Sequence, residues 1–131
     1  MKNEAEHPLN VITADVIGTA IEVHRELGPG LLESIYRDCL ALELGRMGMR
    51  SIREVEIPVH YKGTLLERSL RLDLLVENEI VVEVKAVECF LPVHAAQLLS
   101  YLRLARKSLG LLLNFNVVAM RQGIRRVVNE F

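Results

Sequence analysis

Glu83-Val84-Lys85 places an acid and a lysine two positions apart in a valine-rich run. In a β-strand that spacing puts both side chains on one face. Val81 and Val87 share the face, so the charges sit in an apolar setting and need partners there. Asp73 lies upstream, on the polar side of the preceding alternating segment, where an antiparallel pairing brings it beside Glu83. Two converging carboxylates make a hard-oxygen site of the kind Mg²⁺ or Mn²⁺ prefers. A lysine next to them is suited to hold a water for attack on a phosphodiester, which is metal-assisted hydrolysis. The competing interpretation is a solvated Glu-x-Lys pair on an exposed strand.

Other groupings bear on the same chemistry. Gln97 and Tyr101 are four apart and project from one helix face, with His94 one turn earlier. The simpler alternative is a hydrogen bond between them at the core edge. Gly30-x-x-Glu33-x-x-Tyr36 opens another helix and makes Glu33 and Tyr36 surface neighbours. Glu33 also lies four before Arg37, an orientation that suits an ion pair, and an acid in a first helical turn is favourable by itself. Positive charge gathers late, at Arg103, Arg106, Lys107, Arg121, Arg125 and Arg126. These form a phosphate-binding rim if they share the face above the carboxylates, and otherwise a solvated helix end and edge strand. Three Tyr and three Phe leave little material for stacking single-stranded bases.

The elements that must position these residues are legible in the periodicity. Ile12 to Leu27 reads as a helix with Val16, Ala20, Val23 and Leu27 on one side, ended by Gly28-Pro29-Gly30. A second helix runs from about Leu31 to Met47, with Leu32, Ile35, Cys39 and Leu42 as its apolar stripe. Val55, Ile57, Val59 and Tyr61 then alternate with polar residues, and Pro58 argues for an edge strand. After a Lys62-Gly63 turn, Leu66, Leu70, Leu72, Leu74 and Val76 share one face of a second strand, and Arg71 and Asp73 the other. Ile80 to Val87 is a third strand, Pro92 to Lys107 a helix, Leu109 to Phe115 a fourth strand and Ile124 to Val128 a short last one. Three hairpin-linked strands followed by a crossover helix predict an α/β fold, a mixed sheet with a three-strand meander flanked by helices.

Composition narrows the class. A chain of 131 residues is long enough for one core. It divides into a flexible segment over 1–10 and a single domain over 11–131. Sixteen Lys and Arg against seventeen Asp and Glu leave a net charge of -1, so no whole-chain field exists to coat DNA or mimic it. Cys39 and Cys89 have no CxxC or partner cluster, which excludes a disulfide scaffold or structural zinc site and predicts two reduced, buried thiols. No dyad of Cys39 with His24, His60 or His94 has an orienting third group, and no histidine spacing suits a zinc protease. Gly28-Pro29-Gly30 follows a helix rather than a strand and lacks the rest of a phosphate loop. The polar N-terminus and short apolar runs predict a cytoplasmic protein with no membrane association.

Gly30-x-x-Glu33-x-x-Tyr36 resembles the signature of the GxxExxY family, small proteins of the PD-(D/E)xK nuclease superfamily. The resemblance extends over roughly 11–128. It takes in Lys62-Gly63, the stretch Glu83 to Glu88, the run from Pro92 through His94 and Gln97 to Tyr101, and Asn114-Phe115-Asn116. It implies a restriction-endonuclease-like core in which Asp73 and Glu83 hold Mg²⁺ or Mn²⁺. Glu33 is then an outer or second-metal ligand, and the Val84 carbonyl a further one. Lys85 matches the catalytic lysine, and Gln97 and Tyr101 match the Q-x-x-x-Y of RecB-like nucleases, which orients that lysine and the nucleic-acid backbone. Leu72 stands where the superfamily often has proline. The function implied is metal-dependent hydrolysis of DNA or RNA; the alternative is a catalytically silent module that binds nucleic acid or a protein. A homodimer would double the surface offered to a duplex, with the edge strand around Pro58 participating.

Overall fold

The computed structural model describes residues 8–130. Helix α1 (Pro8–Leu27) starts four residues before the expected Ile12, so Pro8 to Asn10 are helical, and residues 1–7 of the segment expected to be flexible lie outside the described residues. Val16, Ala20 and Val23 are buried as the stripe predicts, while Leu27 at the helix end is half out in solvent. Helix α2 (Glu33–Arg46) is rotated from expectation. Tyr36, Leu40 and Leu44 are its buried residues, whereas Leu32, Ile35 and Leu42 are exposed. The sequence offers two apolar stripes at helical spacing, and a distant contact selects between them: the Tyr36 ring stacks on Phe115 at 4.5 Å between centroids.

Strand β1 (Ser51–Tyr61) and strand β2 (Thr64–Val76) form a long hairpin closed by Lys62 and Gly63, both at positive φ, the backbone of a two-residue hairpin turn. Strand β3 (Ile80–Lys85) pairs antiparallel with β2, and β4 (Leu109–Asn114) runs parallel to β3 after the crossover helix α3 (Pro92–Ala105). A single 3₁₀ turn (Met120–Gly123) leads into β5 (Ile124–Val128), antiparallel to β4. The result is a mixed five-stranded sheet in the order β1-β2-β3-β4-β5 with helices on both sides, and β1 at an edge as Pro58 suggests. The strand run from Val87 back to Lys85 and the helix run from Lys107 back to Ala105 are shorter than the apolar patterns that predicted them.

Two cores flank the sheet. Leu74, Val76, Val82, Val84, Leu111 and Leu113 face α1 and α2, and Leu75, Val81 and Leu112 face Leu98 and Leu102 of α3. Leu72 breaks the expected alternation, packing with Leu75 rather than with Leu74 and Val76. The reason lies at Asp73. The β1–β2 ladder pairs Arg53 with Leu74 and Val55 with Leu72 but skips the position between, where Glu54 takes φ 54°. The Asp73 N–H donates to a side chain instead. Such a local defect twists a strand and re-aims a side chain, a device common next to functional sites.

Among the described residues no helix is long and apolar enough to cross a membrane. Cys39 is half-buried against the core, but Cys89 is exposed in the loop before α3, contrary to the expectation of two buried thiols. Cys89 lies past the end of β3 and in neither core.

Candidate active site

The distortion at Asp73 brings its carboxylate and that of Glu83 together. Each is held by a backbone amide of the other strand: the Asp73 N–H donates to Glu83 Oε1 at 3.2 Å, and the Val84 N–H donates to Asp73 Oδ2 at 2.8 Å. A β-ladder would spend those amides on carbonyls. Here they fix two acids, and among the described residues no hydrogen bond reaches the second oxygen of either. Glu83 is only 5% exposed, so it is not half of a solvated surface pair. Burial first, and then the neighbouring Asp73 charge, push its carboxyl up to about 8, with the Lys85 charge pulling the other way.

Lys85 lies on the same face as Glu83, at the strand end opposite Asn114. Gln97 and Tyr101 do hydrogen-bond, Gln97 Nε2 donating to the Tyr101 hydroxyl at 3.0 Å. The Tyr101 side chain packs on the cluster of Leu72, Val81 and Leu112, on the side of the sheet that Glu83 faces, and burial, followed by the negative fields of Glu83 and Asp73, pushes its hydroxyl up. Helix α3 thus carries both residues on the side of the sheet that Glu83 faces.

Glu33 forms no ion pair with Arg37, which instead bonds Asp38 and Glu54. Glu33 Oε2 accepts the Ala86 N–H at 3.0 Å, one residue beyond Lys85, tying the start of α2 to the end of β3. The rest of the Gly-x-x-Glu-x-x-Tyr pattern explains how it gets there. Gly30 takes φ 98°, a backbone that other residues rarely adopt. The buried Tyr36 hydroxyl donates to the Gly28 carbonyl at 2.6 Å and accepts the Leu31 N–H at 3.0 Å, clamping the loop that delivers Glu33.

The chemistry of the donor set fits a divalent cation. Two carboxylates lie side by side, one of them nearly dry, and no ion pair reaches either among the described residues. A hard cation is the ordinary neutraliser for such a pair. Glu33 does not join them in a three-carboxylate cluster: among the described residues no three His, Cys, Asp or Glu side chains stand close enough to hold a metal ion. The Val84 side chain is buried in the core facing α1 and α2, and its N–H is engaged by Asp73.

Residue types alone did not reveal two supporting features. Asn114, buried at the end of β4, accepts the Val87 and Asn116 N–H groups at Oδ1 and donates from Nδ2 to the Val87 carbonyl. It clamps the chain just past Lys85; a lone amide ending an apolar strand was the available signal. Gly123 passes so close to Asn114 that a Cβ there would lie 2.0 Å from the Asn114 carbonyl oxygen. The basic residues, by contrast, do not form one rim. Lys107 bonds Asn78 at the opposite end of β3, and Arg126 bonds Asn10 of α1 on the other side of the sheet. Arg103 and Arg106 sit at the far end of α3, whereas Arg125 remains on the α3 side.

Comparisons with known proteins bear on the fold and the family. No curated protein matches the chain. The crystal structure of SSO0001 is similar, with a TM-score of 0.50 and 20% sequence identity. The likeness covers 90% of this chain and 66% of that one, just under two thirds, and shows the shared fold. The family profile of the PD-(D/E)XK nuclease superfamily matches residues 10–127, nearly the whole chain. The chain belongs to the PD-(D/E)XK nuclease superfamily.

Proposed function

We propose that the protein is a metal-dependent nuclease that hydrolyses phosphodiester bonds of DNA or RNA, and that it falls in the GxxExxY branch of its superfamily. The observation that carries the reading is the Glu83–Asp73 pair, Glu83 nearly dry and both acids held by cross-strand amides, with Lys85 on the same face. A buried acid beside a second carboxylate costs a fold free energy, which a cation or substrate that uses the pair offsets. The Gly30, Glu33 and Tyr36 clamp supports the branch assignment, because it links the signature to the end of the strand bearing Lys85.

In this reading Asp73, Glu83 and the Val84 carbonyl hold Mg²⁺ or Mn²⁺, with Glu33 as an outer ligand. The ion, when bound, supplies Lewis-acid charge that offsets the growing charge on the phosphoryl oxygens. Lys85 donates hydrogen bonds that hold the attacking water in line with the phosphorus. Tyr101 and Gln97 form a linked pair that orients Lys85 and one non-bridging phosphate oxygen. Burial of Glu83 excludes bulk water and strengthens each of these interactions. Association of two copies along edge strand β1, whose outer end exposes Tyr61, would widen the grip on a strand.

The test is a cleavage panel of single- and double-stranded DNA and RNA with Mg²⁺, Mn²⁺ or EDTA. Wild type is run beside separately purified Asp73→Asn and Lys85→Ala. Metal-dependent cutting lost in both variants is the expected result. Cutting that persists in the variants sinks the site assignment. Nucleic-acid binding without cutting, indifferent to metal and to Asp73→Asn, would assign a silent binding module instead.

A further inference from the structure

Among the described residues Arg125 forms no ion pair, whereas five of the twelve arginines do. Arg25, Arg37, Arg46, Arg53 and Arg71 each reach a carboxylate. The Arg125 guanidinium lies instead over the Phe90 ring, 5.6 Å from its centroid, on an exposed stretch of β5. A cation on an aromatic face is held in place while its N–H donors stay free, a state ready for an anion. Phe90 also carries His94 at its edge, with 6.0 Å between ring centroids. His94 Nδ1 accepts the Leu91 N–H at 2.9 Å, so the neutral ring bears its proton on Nε2, a second free donor beside the same phenyl group.

The sheet register gives this group its place. Arg125 pairs with Leu112, Leu112 pairs with Glu83, and Asp73 lies beyond Glu83 on β2. Paired residues point to the same side of a sheet, and Leu112 packs against α3, so Arg125 and the acid pair face the same way. Two strand spacings separate the backbones of Arg125 and Glu83, roughly 10 Å. That is a few nucleotides of rise at about 3.4 Å each. We propose that Arg125, seated on Phe90 with His94 at the ring edge, binds a non-scissile phosphodiester of the strand whose cleaved bond lies at Asp73 and Glu83. The inference rests on the nuclease reading and names the part of the substrate that this surface holds.

The test is fluorescence-anisotropy titration of labelled single-stranded DNA and RNA oligonucleotides with Mn²⁺ over a series of salt concentrations. The full chain is used with Lys85→Ala, so that the strand survives, and with Arg125→Ala, Arg125→Lys, Phe90→Ala or Arg106→Ala added. Arg125→Ala is expected to weaken binding about tenfold and to lower the salt slope by about one phosphate contact. Phe90→Ala should lose a similar factor, and Arg125→Lys should keep the slope while losing part of the affinity. Arg106, at the far end of α3, serves as the control. Unchanged affinity and slope in Arg125→Ala, or an equal loss in Arg106→Ala, would overturn the proposal. So would a parent protein that binds neither oligonucleotide. Failure of wild type to cut in the cleavage panel would refute the nuclease reading separately, without deciding the binding result.

Discussion

Two clusters of charge lie on neighbouring strands and behave in opposite ways. Outside, Arg37, Asp38, Arg53, Glu54, Arg71 and Glu56 alternate in sign and link α2 to the β1–β2 hairpin through pairs of 3.1 to 3.9 Å. Most of these side chains are well exposed, and the network neutralises itself. One residue inward across the ladder, Asp73 and Glu83 have like charge, and Glu83 is almost fully buried. The first arrangement is one that any soluble surface tolerates, each pair contributing about 0–1 kcal/mol. The second costs folding free energy and persists only where something outside the fold rewards it. The contrast separates charge that supports the scaffold from charge that the scaffold supports.

Substitutions should divide along that line. Asp73→Asn or Lys85→Ala is expected to cut metal-dependent cleavage by at least about a hundredfold, the scale of losing one preorganised charged group, with the melting temperature of neither variant falling by more than a few degrees. A comparable loss of cleavage in Glu56→Ala would erase the distinction between the clusters.

Next in size is a pH effect on stability. The folded state raises the Glu83 carboxyl from 4.5 to about 8, so it retains a proton that the unfolded chain releases. The contribution is fully present below pH 4.5 and is lost as pH rises through about 8, a fall of a few kcal/mol at most. Urea denaturation of the metal-free protein across that window should show the decline, and Glu83→Gln should flatten it while stabilising the protein at its alkaline end. A wild-type profile as flat as that of Glu83→Gln would mean the acid pair is better solvated than its burial indicates.

Tyr36→Phe leaves the Gly28 carbonyl and the Leu31 N–H without their shared partner and should lower stability by about 1–3 kcal/mol. Cleavage should fall further than stability explains, because the loop carrying Glu33 loosens. Activity unchanged after correction for folding would remove Glu33 from the site. Smallest of all, Glu56→Ala in the outer network should shift stability by less than about 0.5 kcal/mol by the same denaturation measurement, with the shift shrinking further in high salt.

Which of these features could be read from residues alone follows from how local their causes are. The order of helices and strands was legible because alternation and helical spacing are properties of short windows, as in Val55 to Tyr61 and Ile80 to Lys85. The Lys62-Gly63 turn and the Pro58 edge position were likewise written in two or three residues. The face of α2 was not. Leu32, Ile35 and Leu42 make as good a stripe as Tyr36, Leu40 and Leu44, and the choice depends on Phe115, 79 positions away in the chain. Leu72 changed cores for a similar reason: the irregularity at Asp73 lies between Glu54 and Glu83, which only the pairing of three strands brings beside it. Asp73, Glu83 and Lys85 were readable as a set because strand geometry and a hairpin suffice to juxtapose them. The division of the basic residues needed the sheet register, which sends Arg125 to one face and Arg126 to the other.

The central claim, that the Asp73–Glu83 pair is built for a divalent cation, is tested most directly by calorimetric titration of Mn²⁺ into the full chain near pH 7 in buffers of different ionisation enthalpy. Binding is expected, with release of about one proton, because the cation displaces the one that Glu83 holds below pH 8. The proton count should fall away above pH 9, and Asp73→Asn should abolish the binding. Mn²⁺ binding that survives Asp73→Asn, or no binding in wild type, would contradict the account.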